Sequence, residues 1–221
     1  MKILTSQQEE ILKIFSTTDD AQQFYLAGGT ALAAFYLEHR LSEDLDFFTP
    51  QEELVQILGD KLRDALEKAG FQAKTLRKFK TFYELIATKE GESTLIHIAF
   101  DAPFRFEPLT RKEFGVKIDT LVDIATNKLL ALWGRYAPKD FVDIYFLAKE
   151  KFSLEEIIAK AKAKEKDEGL EEYFLALSFH KAKDLPENLK SLPVRMIKEL
   201  NLKELKDFFV EKSVAMLAQE K

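Results

Sequence analysis

Phe24–Thr49 reads FYLAGGTALAAFYLEHRLSEDLDFFT. Phe24 to Ala27 is a short apolar run that predicts a strand, Thr30 to Glu38 has helical composition, and Asp44 to Phe48 predicts a second strand. Successive side chains of a strand point to opposite faces, so Asp44 and Asp46 share one face while Leu45 and Phe47 take the other. Two carboxylates held side by side repel each other unless a cation sits between them. The pair suits a hard divalent ion, above all Mg²⁺ carrying substrate phosphates. Gly28 and Gly29 let the backbone approach a ligand closely, and the helix N-terminus that follows is a natural seat for a phosphate. The competing reading is a solvated acidic strand end, against which stands the neighbouring Phe47-Phe48, since burying uncompensated carboxylates is costly.

Outward from this stretch, residues 3 to 19 predict an amphipathic helix with Gln8 and Glu9 outward and Ile11, Leu12 and Phe15 inward. Leu54 to Ala69 predicts a helix stopped by Gly70. Phe71 to Phe100 alternates enough for three strands with a turn near Lys89-Glu90-Gly91, and Val116 to Ile118 predicts a further short strand. A helix from about Leu121 to Gly134 follows. From Ser153 the pattern is helical: Ser153 and Glu156 form a capping box, the lysine-rich stretch 159–169 is a solvated helix end or loop, and Leu170 to Lys181 and Asn201 to Gln219 predict further helices. The fold class is α+β, a mixed sheet with flanking helices plus a helical C-terminal region. The expected division is 1–118 for the domain with the glycine turn and the acidic pair, and 119–221 for the helical region packing on it.

A chain of 221 residues with 46% hydrophobic content can bury a sizeable core. The absence of Cys excludes a disulfide framework, a thiolate zinc site and a cysteine nucleophile. No apolar run is long enough to span a membrane and the N-terminal pattern lacks a signal-peptide core, so a cytoplasmic protein without a membrane partner is expected. A net charge of −5 is not that of a general nucleic-acid binder. One local cationic run, Lys74-Thr-Leu-Arg77-Lys78-Phe-Lys80, with Arg105, Arg111 and Lys112 further on, suits either an RNA backbone or a strand edge protected by lysines.

Gly-Gly-Thr followed by Asp-x-Asp resembles the signature of the DNA polymerase β-like nucleotidyltransferases. The longer wording, GGTALA and then HR-x-S-x-DLDFF, resembles the AbiEii abortive-infection toxin nucleotidyltransferases within that superfamily. Two downstream blocks extend the resemblance, Asp123 to Lys128 and Lys139-Asp140-Phe-Val-Asp143. The resemblance implies an enzyme with a polymerase β-like sheet that moves a nucleoside monophosphate from an NTP to an acceptor hydroxyl. It implies catalytic roles for Asp44, Asp46, Asp101, Lys128 and Asp143, with Mg²⁺ (or Mn²⁺) on Asp44 and Asp46. Gly28, Gly29, Thr30 and Lys128 would hold the triphosphate, with Arg40 and Ser42 as helpers. By the same analogy the acceptor is RNA, the 3′ end of tRNA foremost, a cognate antitoxin is the expected protein partner, and DNA is not expected.

Several positions stay open. Such enzymes place a third acid on a neighbouring strand, and Ser93 to Asp101 is the candidate. His97, Ala99 and Asp101 share its face, and the expected position falls on Ala99. Asp101 one pleat later serves, His97 substitutes, or two carboxylates suffice. His39 reads as orienting its loop. Lys128 is either a phosphate contact or a lysine snorkelling from a core face. Asp140 caps or pairs with Lys139, and Asp143 is the better candidate for facing the site. Two other functions compete: a nucleotide-binding regulatory module without transfer, favoured by Ala99, and transfer to a protein or small-molecule hydroxyl.

Overall fold

A computed structural model of the chain describes residues 3–165 and 169–219; of the lysine-rich stretch, residues 166–168 lie outside the described residues. The chain divides into two compact units, one ending at Leu121 and the other beginning at Val122.

The first unit is built on a seven-stranded mixed sheet. Its strands are β1 (Tyr25–Ala27), β2 (Leu45–Thr49), β3 (Gln72–Lys78), β4 (Phe82–Lys89), β5 (Glu92–Phe100), β6 (Lys112–Glu113) and β7 (Val116–Ile118), in the order β3-β4-β5-β2-β1-β7-β6. β2 therefore lies in the middle, antiparallel to β1 and parallel to β5. Leu45, Phe47, Ile96, Ile98, Tyr83 and Leu85 fall on one face and are fully buried. That face meets α1 (Ser6–Thr17) and α3 (Leu54–Lys68), whose Ile11, Leu12, Phe15, Leu58 and Leu62 are likewise fully buried. Phe15 stacks on Phe47 with ring centroids 3.7 Å apart. The opposite face carries Asp46, Phe48, His97, Ala99, Glu84 and Phe82, as the pairing registers require.

The expected strands and helices are present. The expected strand at Val116–Ile118, β7, is joined by the two-residue β6 through a tight turn at Phe114-Gly115 that the apolar pattern did not mark. Two local differences bear on function. The helix after β1 starts at Gly28 rather than Thr30: α2 (Gly28–Leu32) runs directly into a π turn over Ala33–Leu37, closed by Glu38 N–H donating to Ala33 O at 2.9 Å. Gln8, expected outward, is buried. Its amide oxygen accepts from Thr5 N at 3.0 Å in a capping box, while its Nε2 donates to the carbonyls of Ser42 and Glu43 at 2.9 and 3.2 Å. An amide buries without penalty when both its ends are satisfied, which a polar/apolar pattern does not reveal. Gln8 thereby ties α1 to the residues just before the acidic pair.

Gly59 in α3 sits over Tyr83, and a Cβ there would lie 2.4 Å from the ring. Tyr83 is fully buried and its hydroxyl is fixed by Thr75 and Asp60, so the ring has nowhere to go. Gly59→Ala would gain about 1 kcal/mol of helix propensity, but overpacking costs roughly 1–3 kcal/mol. A net loss is expected, read as a lower midpoint in urea unfolding. A raised midpoint would mean that the helix–sheet contact has slack.

The second unit is helical: α4 (Leu121–Gly134), α5 (Pro138–Glu150), α6 (Leu154–Lys164), α7 (Glu172–His180) and α8 (Leu202–Gln219). Its core gathers Phe141, Phe179 and Phe209, with ring centroids 5.2 and 5.4 Å apart around Phe209. The Ser153–Glu156 capping box forms as its spacing predicts. No helix among the described residues is long and apolar enough to cross a membrane.

Candidate active site

The site is assembled where β1, β2, β5 and β4 lie side by side. Ala27 pairs with Asp46, so the chain leaves β1 directly beside the second carboxylate of the pair. Gly28 then adopts φ +68, and a Cβ built on it would lie 2.2 Å from Asp46 Oδ2. Both the left-handed backbone and the missing side chain are therefore required there. Gly29 is required for space: its Cβ would lie 2.6 Å from Arg40 Nη2 and 3.0 Å from Ser42 Oγ. The structure thus brings Gly28, Gly29, Arg40, Ser42 and Asp46 together, as expected. Thr30 is buried and its hydroxyl donates to the backbone carbonyl of Asp44, tying α2 to the chain just before β2. Arg40 is buried and donates to Leu41 O at 2.9 Å, and His39 is fully buried in the same loop.

On β5 the residue in register with Asp46 is His97, while Ala99 lies opposite Phe48. Parallel register depends on pairing that a single strand's sequence does not encode, so which residue of this face stands beside Asp46 is read only from the fold. His97 Nδ1 is 2.7 Å from Asp46 Oδ1, and its Nε2 is 3.2 Å from Glu84 Oε1 on β4. Arg77 on β3 completes the row, donating to both Glu84 oxygens at 2.6 and 2.8 Å. Burial works against a charged imidazole here. The hydrogen bond and charge of Asp46, the charge of Asp44 and the bond to Glu84 outweigh it, so the His97 pKa stands above its ordinary value. The Arg77 fork holds the Glu84 carboxyl below its usual range despite some desolvation. The shift favours the protonated ring, the form able to donate to both carboxylates. Glu84 went unnoticed in the sequence because only the strand register sets it beside His97.

Asp101 belongs to a different cluster. Four residues beyond His97 on a parallel strand, it stands roughly 13 Å along from the level of Asp46. Its Oδ2 accepts from Tyr25 OH at 2.6 Å, and its N–H donates to Thr49 O. Burial first, and Asp101 next, push the Tyr25 phenol well above its usual pKa. Arg105 lies over the Tyr25 ring at 4.5 Å and pairs with the buried Asp119.

The cationic run forms β3, the exposed edge of the sheet. Lys78 pairs with Asp60 and Lys80 with Glu52, so much of its charge is already balanced locally. In the second unit, Lys128 of α4 is buried between two fully buried carboxylates of α5, with Nζ 3.2 Å from Asp140 and 2.7 Å from Asp143. The other Asp140 oxygen accepts from Arg135 at 3.0 Å. Asp140 is thus paired with both Lys128 and Arg135.

The donor set at the acidic pair fits a divalent ion of one kind. One Asp46 oxygen is engaged by His97 and the other faces Gly28, and the charge of Asp44 is near enough to act on His97. Among the described residues no three His, Cys, Asp or Glu side chains gather to hold a metal. Two carboxylates with open solvent beside them suit Mg²⁺, which takes most of its ligands from substrate phosphates and water.

Among protein families, residues 10–219 match the one described as nucleotidyl transferase AbiEii toxin, type IV TA system. An uncharacterised protein of Aquifex aeolicus is 31% identical over 159 residues, covering 68% of this chain and 69% of the relative. Among solved structures, the nucleotidyltransferase toxin MenT4 of Mycobacterium tuberculosis superposes with a TM-score of 0.64 at 18% identity, covering 96% of this chain and 82% of that one. JHP933 of Helicobacter pylori superposes with a TM-score of 0.57 at 21% identity, covering 98% and 94%. At these identities the two structures speak for the fold.

Proposed function

Because the chain belongs to the AbiEii nucleotidyl transferase toxin family of type IV toxin–antitoxin systems, we propose that it transfers a nucleoside monophosphate from an NTP to the terminal hydroxyl of an RNA, the 3′ end of tRNA foremost. The observation that carries this reading is the fit of Gly28 against Asp46, which joins the phosphate-binding turn to the acidic pair in one rigid unit. Backbone N–H groups of the Gly28–Gly29 turn, with Arg40 and Ser42 beside Gly29, hold the triphosphate. Mg²⁺ or Mn²⁺ on Asp44 and Asp46 would supply neutralisation of phosphate charge. The acceptor oxygen attacks the α-phosphorus, the bond to the bridging oxygen breaks, and pyrophosphate leaves together with the acceptor's proton. His97 and Glu84 keep Asp46 from rotating away. Family analogy adds Lys128 and Asp143, which contact each other at 2.7 Å. Asp101 would act only at a distance, through Tyr25. A cognate antitoxin is the expected regulator, and the cytoplasm, where NTPs and tRNA meet, the place of action.

Purified protein incubated with total RNA, Mg²⁺ and each α-³²P-labelled NTP in turn should label a tRNA-sized band with one of them. An Asp44→Ala/Asp46→Ala variant should not. Label on a protein or small molecule would move the acceptor to another class. Nucleotide binding without any label would favour a regulatory module, the reading that Ala99 favours.

A further inference from the structure

In-line displacement puts the attacking and leaving oxygens on opposite sides of the phosphorus. With the triphosphate at the Gly28–Gly29 turn, on the β1 side of β2, the acceptor must arrive over the other flank, across β5 and β4. That flank has a distinctive surface. In the row after Asp46, His97 and Glu84, the paired residues are Phe48, Ala99 and Phe82. Ala99 is thus a small side chain between two aromatic ones, and strands at this spacing leave roughly 10 Å between the flanking positions. All three residues are partly solvent-accessible although β5 is an inner strand, so the space above Ala99 is open. The Phe82 and His97 ring centroids lie 5.6 Å apart, and the Arg77 guanidinium lies over the Phe82 ring at 5.0 Å. The two bonds from Arg77 to Glu84 hold that guanidinium plane in place while more than half of the side chain remains exposed.

We infer that the Phe48–Ala99–Phe82 slot, with Arg77 held against the Phe82 ring at its edge, seats the terminal base of a single-stranded RNA acceptor and delivers its hydroxyl toward Asp46. The inference rests on the transfer reading above and adds to it a location and a substrate form. Aromatic side chains stack on any base, whereas a guanidinium beside them attends to the backbone. The slot therefore selects for an unpaired end rather than for a sequence. A base-paired terminus would have no free ring face to insert. This surface also explains why β5 carries alanine at this level: a larger residue would fill the slot.

Two variants test it, Phe82→Leu, which keeps apolar volume but removes the π face, and Ala99→Leu, which fills the gap. Affinity for a short 5′-fluorescein single-stranded RNA is read by anisotropy, and affinity for a fluorescent NTP with Mg²⁺ is read separately. The RNA dissociation constant should rise roughly 5- to 100-fold in each variant, with NTP affinity unchanged and the acceptor KM raised more than kcat is lowered. Unchanged RNA affinity in both variants, or an equal loss of NTP affinity, would overturn the inference. The two readings fail separately. Wild-type protein that binds RNA through Phe82 but labels none leaves the slot standing and sinks the transfer, whereas RNA labelling with an unchanged KM in both variants does the reverse.

Discussion

Asp46→Asn should lower transfer by about 10³-fold or more while leaving the protein folded. The substitution keeps the shape that fits against Gly28, and the amide oxygen still accepts a hydrogen bond from His97. What it removes is the negative charge that, on the proposed function, would hold a cation beside triphosphate oxygens. Interactions of that kind contribute several kcal/mol to a phosphoryl-transfer barrier, and about 4 kcal/mol corresponds to that factor. The check is single-turnover labelling at saturating NTP, with a thermal melt of the same preparation. Activity within tenfold of wild type, in a protein that melts normally, would mean that Asp46 is not in the reacting centre.

Lys128→Met is the second large effect, and it falls on stability. The methionine fills most of the lysine's volume, but it leaves Asp140 and Asp143 fully buried after removing the cation 3.2 and 2.7 Å from them. Breaking a buried ion pair from one side costs about 3–5 kcal/mol, because the remaining charge has already lost its water. Arg135 holds one Asp140 oxygen from a largely exposed position and offsets little of this. Chemical denaturation should therefore show a markedly lower midpoint for the transition of the second unit. Neutralising the acids as well, in Lys128→Met/Asp140→Asn/Asp143→Asn, should recover a large part of the loss. Should Lys128→Met unfold like wild type and lose only NTP binding, the lysine would be a phosphate contact with no structural duty. If both stability and NTP affinity fall, the triple variant separates them, since it restores the fold without restoring the cation.

The fold was largely legible because its signals are local. Alternation marked β2, β4 and β5, the Ser153–Glu156 spacing marked the start of α6, and the apolar period marked α4 and α8 to within a residue. The site was legible where neighbours in sequence are neighbours in space. Gly28, Gly29, Arg40, Ser42, Asp44 and Asp46 lie within one strand–helix–strand excursion, and the chain has little choice but to keep them close. What stayed open in the sequence is non-local. Whether Ala99 or His97 faces Asp46 depends on one residue of register between β2 and β5, strands separated by a helix and a hairpin. Glu84 and Arg77 enter through two further pairings, and Gln8 through a buried amide that satisfies both a helix cap and a distant loop. Asp101 illustrates the same limit from the other side. It sits on the expected face, and its partner Tyr25 belongs to a strand whose pairing with β2 had to be seen.

The π turn at Ala33–Leu37 has a consequence for how this protein tolerates insertions and deletions. A π turn holds one residue more than an α turn, and here that surplus residue sits between the glycines and Arg40. Losing any one residue of 33–37 would let the segment relax to an α-helix and turn everything after it by about 100°. Arg40 and Ser42 would then no longer meet Gly29. The number of residues between the glycine turn and the acidic pair is thus as much a part of the site as their identity. By contrast the β4–β5 hairpin, turning at Glu90-Gly91 in open solvent, has no such count to keep. Length variation among related chains should accumulate there and be absent from 33–37.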